Sequence, residues 1–187
     1  MPSKWDRMFY DVCVAVSKNS KCLSRQIGAV LVRDKTIIGC GYNGPPRGIP
    51  HCETRYFGDS YFMSRFDVLP EKNKKDIDER KYRVCPRQAL GYKSGQGLEL
   101  CIAGHAERNT LINAAREGVK TKGAIMYMSC GLPCTPCMIE ISNAGIVEIV
   151  CENLTAYDPM VKHLIENSNL QVRMFDFLEP QEFKWVD

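Results

Sequence analysis

Trp5, Met8, Phe9, Val12, Cys13 and Val16 recur at the three- and four-residue spacing of one helical stripe. Ser3 precedes the stripe as a suitable cap, so the pattern predicts a first helix with Cys13 in its core face. The period then changes. Residues 27–33, Ile-Gly-Ala-Val-Leu-Val-Arg, and 36–42, Thr-Ile-Ile-Gly-Cys-Gly-Tyr, are extended apolar runs joined at Asp34-Lys35, and they predict a hairpin. Gly41-Tyr-Asn-Gly-Pro-Pro-Arg-Gly48 breaks the pattern as a loop. From about 49 to 101 no core periodicity is evident. Within that stretch ten of the thirteen residues 71–83 are charged, with mixed sign, which predicts a solvated helix or loop.

Regularity returns at Gly104. His105–Glu117 reads as a helix stopped at Gly118, and Ala124–Met128 as a buried strand. Pro133 opens a helix through Ala144 with Gly145 as its stop. Ile146–Cys151 is another strand. Asp158 caps a helix over 158–167 with Pro159 at its first position, and Leu170–Phe175 is the last strand. Helices alternating with short strands predict an α/β protein with helices covering a central sheet.

Length and composition narrow the class. A chain of 187 residues fits one domain, and 44% apolar with 25% charged residues excludes collagen, coiled coil and wholesale disorder. No apolar run reaches membrane-spanning length. Met1-Pro2-Ser3-Lys4-Trp5-Asp6 is not a signal peptide, so a cytosolic location is expected. The net charge of +3 argues against duplex nucleic acid as a partner. Ten cysteines are the outlying count, against three histidines. In a cytosolic chain such cysteines are apolar filler or metal ligands, and any metal site must lean on sulfur.

Two short pieces carry chemistry: His105-Ala-Glu107 and Pro133-Cys134-Thr-Pro-Cys137. A Cys-x-x-Cys at a helix N-terminus aims two sulfurs at one point, where the helix dipole and free N–H groups favour thiolate. His105 adds a nitrogen. Three protein ligands leave zinc one open position, as catalytic sites require. Glu107 lies close enough to serve that position without being a ligand. Either piece alone is a weak signal. Together they form the established signature of zinc nucleobase deaminases, His-x-Glu followed by Pro-Cys-x-x-Cys.

Further segments extend the match: residues 20–30, Ser-Lys-Cys-Leu-Ser-Arg-Gln-Ile-Gly-Ala-Val; Gly39-Cys-Gly-Tyr-Asn-Gly44; His105-Ala-Glu-Arg-Asn109; and Ala144-Gly-Ile-Val-Glu-Ile-Val150. Over roughly 5–175 the chain resembles the deoxycytidylate (dCMP) deaminase family, within the cytidine deaminase superfamily. The resemblance implies a three-layer fold with a five-stranded mixed sheet. It implies a single deaminase domain over 1–187 with a cysteine-bearing insert at about 45–101. The implied activity is zinc-dependent hydrolysis of dCMP to dUMP and ammonia, feeding thymidylate synthesis. Glu107 would take a proton from water and deliver protons to the ring nitrogen and the departing amine.

The same resemblance assigns the remaining sites. Asn43 would contact the sugar, the Ala106 N–H the pyrimidine carbonyl, and Ser129 and Tyr157 the base and phosphate. The loop after Tyr127, Met-Ser-Cys-Gly-Leu, is one residue longer than in many relatives, and its Cys130 is a near-site thiol or filler. Relatives often hold a second, structural zinc, here expected on Cys22, Cys52, Cys85 and Cys101, with His51 and Glu99 as substitutes for one ligand. Cys40 and Cys151 are expected in the core. Longer family members are activated by dCTP and inhibited by dTTP, carrying Mg2+, and usually assemble as hexamers. Gly44, Arg25 and Arg47 are then effector-site candidates, and Arg116 an interface candidate. Two alternatives remain open: a tRNA adenosine deaminase, and a catalytically inactive zinc or nucleotide-binding regulator.

Overall fold

The computed structural model describes residues 4–80, 82–93, 95–156, 158–179 and 182–185. The Ser3 cap and Tyr157 lie outside the described residues. The chain divides into two compact units: Met1–Ser20, Ile27–Asn43 and His105–Asp187 form the first, Lys21–Gln26 and Gly44–Gly104 the second.

The first unit is built on a sheet. Its strands are β1 (Gly28–Arg33), β2 (Thr36–Tyr42), β3 (Ile125–Met128), β4 (Glu148–Cys151) and β6 (Gln171–Met174), in the order β2-β1-β3-β4-β6. β1 pairs antiparallel with β2 and β3, while β3, β4 and β6 run parallel. The predicted five-stranded mixed sheet is therefore present. A two-stranded pair, β5 (Thr155–Ala156) with β7 (Lys184–Trp185), lies apart from it. The parallel strands need crossovers, and helices supply them: α7 (Thr135–Asn143) joins β3 to β4, and α8 (Pro159–Glu166) lies between β4 and β6.

Side-chain alternation splits the core into two layers. Ala29, Leu31, Met126, Met128, Ile149 and Cys151 pack with α6 (Ala106–Arg116), α7 and α8. Val30, Val32, Tyr127, Val150 and Phe175 pack with Phe9 and Cys13 of α1 (Lys4–Ser17). Burial on both faces explains why these strands read as continuous apolar runs rather than alternating ones. Cys13 and Cys151 are core as expected, and burial pushes both thiols up to about 12. Cys40 is a correction: it is exposed. It pairs with Val30 on the α1 face, but β2 is the edge strand, and its residue Cys40 stays open to solvent.

The α1 stripe also differs from the prediction. Met8 is exposed and Asp6 is 2% exposed. Asp6 is inside because Arg173 of β6 grips it with two nitrogens at 2.5 and 3.0 Å, and the Asp176 N–H donates to it at 3.1 Å. Arg173 also reaches Glu148 at 2.6 Å. Removing one partner of such a cluster strands the others. Asp6→Ala is expected to cost about 2–4 kcal/mol, the half-exposed Arg173 tempering the full penalty. Urea unfolding would show it; an unchanged midpoint would contradict it.

The second unit has a core although 49–101 shows no core periodicity in sequence. It contains α2 (Arg55–Gly58), α3 (Ser60–Phe66), α4 (Glu71–Glu79) and α5 (Pro86–Ala89). Tyr56, Phe62, Phe66, Ile77, Val84 and Ala89 form a core of their own. Tyr56 meets Phe62 and Phe66 edge-to-face. Each helix is so short that it contributes only one or two apolar residues, too few for a period to emerge. The charged stretch is α4, solvated except at Ile77.

Candidate active site and metal centre

Two helix N-termini meet at the site. His105 is the N-cap of α6 and Cys134 the N-cap of α7, both in extended conformation. The α7 start falls two residues later than predicted, leaving Pro133 outside the helix and Pro136 in its first turn. Neither cap side chain bonds its own helix backbone. Instead His105 Nδ1 lies 3.4 Å from Cys134 Sγ and 3.4 Å from Cys137 Sγ. All three ligand atoms fall within 4.8 Å of one another. Ordinary Zn–S and Zn–N lengths around a tetrahedron give an S···N edge of about 3.5 Å. The donor set therefore fits zinc in both chemistry and spacing.

The electrostatics point the same way. The Cys134 thiol is lowered by a hydrogen bond from Cys137, against the opposing effect of burial, with further help from His105. Cys137, the donor in that pair, is pushed upward by it and by burial. His105 is raised by the hydrogen bond to Cys134, despite burial. A divalent cation bound to this set would take the place of its cysteine protons.

Glu107 sits in the first turn of α6, 5% exposed, and its charge raises both His105 and Cys137. Three side chains hold α6 in place. The Thr110 hydroxyl donates to Ala106 O at 2.7 Å and lies 3.3 Å from Ala29 O. Asn109 and Asn113 donate to Tyr42 O and Cys40 O of the edge strand. Gly41 permits this approach, since a Cβ there would lie 2.5 Å from Thr110 N. Arg108 and Glu140 form a two-pronged ion pair at 2.9 Å that fastens α6 to α7.

The other predicted residues are placed as follows. Asn43 is 7% exposed, and its carboxamide oxygen accepts the Ile27 N–H at 2.8 Å. Ala106 opens α6, where first-turn N–H groups lack helical acceptors. The Ser129 hydroxyl accepts from Gly28 N at 3.0 Å, stitching β1 to the end of β3. Arg116 pairs with Glu117 at 2.8 Å. In the second unit, Gly44 and Gly104 exchange two backbone hydrogen bonds, while Arg25 and Arg47 are exposed. Cys22, Cys52, Cys85 and Cys101 all belong to this unit. Burial first, then Cys85, Cys101 and Cys22, push Cys52 up to about 11. Among the described residues, these four sulfurs do not reach the mutual spacing of the His105 cluster. Sequence reasoning missed the Arg108–Glu140 pair and the link from Asp158 to Thr135, both joining residues more than twenty positions apart.

Residues 3–153 match the model of the cytidine and deoxycytidylate deaminase zinc-binding region, and the chain belongs to that family. Among individual relatives, the deoxycytidylate deaminase of Mycobacterium phage D29 is 30% identical over 151 residues, covering 78% of this chain and 92% of its own length. The deoxycytidylate deaminase of Schizosaccharomyces pombe is 29% identical over 171 residues, covering 91% of this chain and 44% of its own length. The chain thus spans less than half the length of that relative. The fold is similar to that of dCMP deaminase from the cyanophage S-TIM5 in complex with dCMP and dUMP, with TM-score 0.62 and 18% identity over 93% of this chain and 98% of the other.

Proposed function

We propose that this chain catalyses the zinc-dependent hydrolytic deamination of dCMP to dUMP. The observation that carries the reading is the convergence of His105, Cys134 and Cys137, with buried Glu107 two residues past His105. Zinc, when bound, supplies an activated nucleophile at neutral pH. Glu107 accepts one proton from the attacking water and passes it to the ring nitrogen, then takes the second from the new C4 hydroxyl and delivers it to the amino group, which leaves as ammonia. The Ala106 N–H, at the positive end of α6, holds the pyrimidine carbonyl. Asn43, oriented through its oxygen by Ile27, offers its amide N–H groups to a sugar hydroxyl. Ser129 and Tyr157 complete the base and phosphate side. The family and the names of its relatives support a cytosine nucleotide as substrate.

A second zinc in the second unit, on Cys22, Cys52, Cys85 and Cys101, is part of the same reading. His51 Nδ1 is buried without a hydrogen-bond partner, which suits the substitute ligand beside Cys52. The reading further includes a cytoplasmic homohexamer supplying thymidylate synthesis, activated by dCTP and inhibited by dTTP with Mg2+. Gly44, Arg25 and Arg47 would serve the effector and Arg116 a subunit contact. Among the described residues, no helix is long and apolar enough to cross a membrane.

Ammonia release across cytosine nucleosides and nucleotides tests the substrate. dCMP is expected to be turned over fastest, and activity confined to another member of the panel would overturn the assignment. The dCMP saturation curve is expected to be sigmoidal, hyperbolic with dCTP, and suppressed by dTTP, because each effector must prefer one of two global states. A hyperbolic curve unmoved by either triphosphate would remove regulation from the reading.

A further inference from the structure

The metal-binding turn has a capping problem. Cys134 occupies the N-cap position of α7, where a side chain ordinarily accepts an N–H of the first turn. Its sulfur is directed at His105 instead. The vacant capping role is filled from elsewhere in the chain. Asp158 Oδ2 accepts the Thr135 N–H at 2.9 Å, the first residue of α7 and the one following ligand Cys134. Asp158 Oδ1 accepts the Met160 N–H at 3.2 Å, capping α8. One carboxylate therefore serves two helix N-termini, a placement the dipoles of both favour. Partial burial alone would raise its pKa, but its contacts with Thr135 and the Met160 N–H hold it below the usual carboxylate range.

Pro136, the second residue of α7, has no N–H to give. The Thr135 N–H, next to ligand Cys134 and held by Asp158, is a donor that can fix how the turn is rotated about its axis. We propose that Asp158 is a positioning residue for the metal centre: by holding the Thr135 N–H it sets the rotation at which both cysteine sulfurs converge on His105 Nδ1. The proposal rests on reading that cluster as a zinc site. It goes beyond a capping role, since capping α8 alone needs only one of the two oxygens.

Asp158→Ser separates the two roles. A serine hydroxyl caps α8 as well as aspartate does, but its single oxygen cannot also serve a donor in α7. Asp158→Asn keeps the length of the side chain but only one acceptor oxygen, which can reach either helix, and Asp158→Ala removes both acceptors. Zinc affinity is read by competition with a chromophoric chelator, and the Cys137→Ser protein identifies which step belongs to the His105 site. Thiolate-to-cobalt charge-transfer bands of the Co2+-loaded protein report sulfur geometry, and thermal unfolding of the metal-free protein reports stability. For Asp158→Ser, zinc affinity at that site is expected to fall about 10- to 100-fold, the usual range for groups that orient metal ligands. The cobalt bands should shift while the metal-free melting temperature stays at the wild-type value. Asp158→Asn should recover part of the affinity, and Asp158→Ala should lose both affinity and stability. Wild-type affinity and cobalt bands in Asp158→Ser would overturn the proposal. These readouts need no substrate. Wild-type protein that binds zinc yet deaminates nothing would defeat the functional reading and leave the role of Asp158 standing.

Discussion

Glu107→Gln is expected to lower dCMP deamination by at least about 100-fold, while zinc content and melting temperature stay at wild-type values. The carboxylate lies on the first turn of α6, which begins beside ligand His105, so it is fixed relative to the ligand by one short stretch of backbone. It is almost fully buried, and a buried carboxylate is costly unless it has work to do or partners to meet. Glutamine preserves size and one acceptor oxygen but cannot carry a proton between water, ring nitrogen and leaving amine. The substitution therefore separates proton transfer from packing. Elemental analysis and thermal unfolding establish that the variant is folded and loaded; steady-state ammonia release then gives the rate. A loaded variant with near-wild-type turnover would remove Glu107 from the mechanism. A variant that loses zinc as well would place Glu107 in the ligand environment instead.

What made this centre readable is that its determinants are local. His105 and Glu107 are two residues apart, Cys134 and Cys137 three, and each pair opens a helix, so ligand spacing and helix start signals coincide. The strands were readable for a similar reason: Val30 and Leu31 face opposite helical layers, and burial on both faces leaves a continuous apolar run. Contacts between distant positions were not readable. Asp158 could be seen as the cap of α8, but nothing near it in sequence announces that its second oxygen holds Thr135. Asp6 lies off the stripe that marks α1, and only its distant partner Arg173 accounts for its burial. Cys40 sits in a strand, as expected, yet edge position rather than strand identity decides its exposure. The second unit failed a test based on periodicity because α2 and α5 are four residues each, about one turn.

That same shortness leads to the remaining large effect. Protein purified without added metal is expected to carry about two zinc ions per chain, one for each separate ligand set. Helices of four to nine residues are not stable alone, and the second unit gathers them around a core of six buried side chains. A core that small ordinarily needs a staple, and a structural zinc contributes on the order of 10 kcal/mol to folding. Burial first, then the neighbouring Cys85, Cys101 and Cys22, raise Cys52 to about 11, and the mutual repulsion of these sulfurs is what a cation among them would relieve. His51 Nδ1, buried without a hydrogen-bond partner, offers a further donor beside it. The sulfurs stand outside direct ligand spacing, so binding must draw the segments carrying them together within this unit. Cys85→Ser is expected to reduce zinc to about one per chain and to expose 44–104 to limited proteolysis, with the His105 site still loaded. Two zinc ions retained in Cys85→Ser would exclude Cys85 as a ligand and point to His51 in its place. A single zinc in the wild type, unchanged by the substitution, would eliminate the second site.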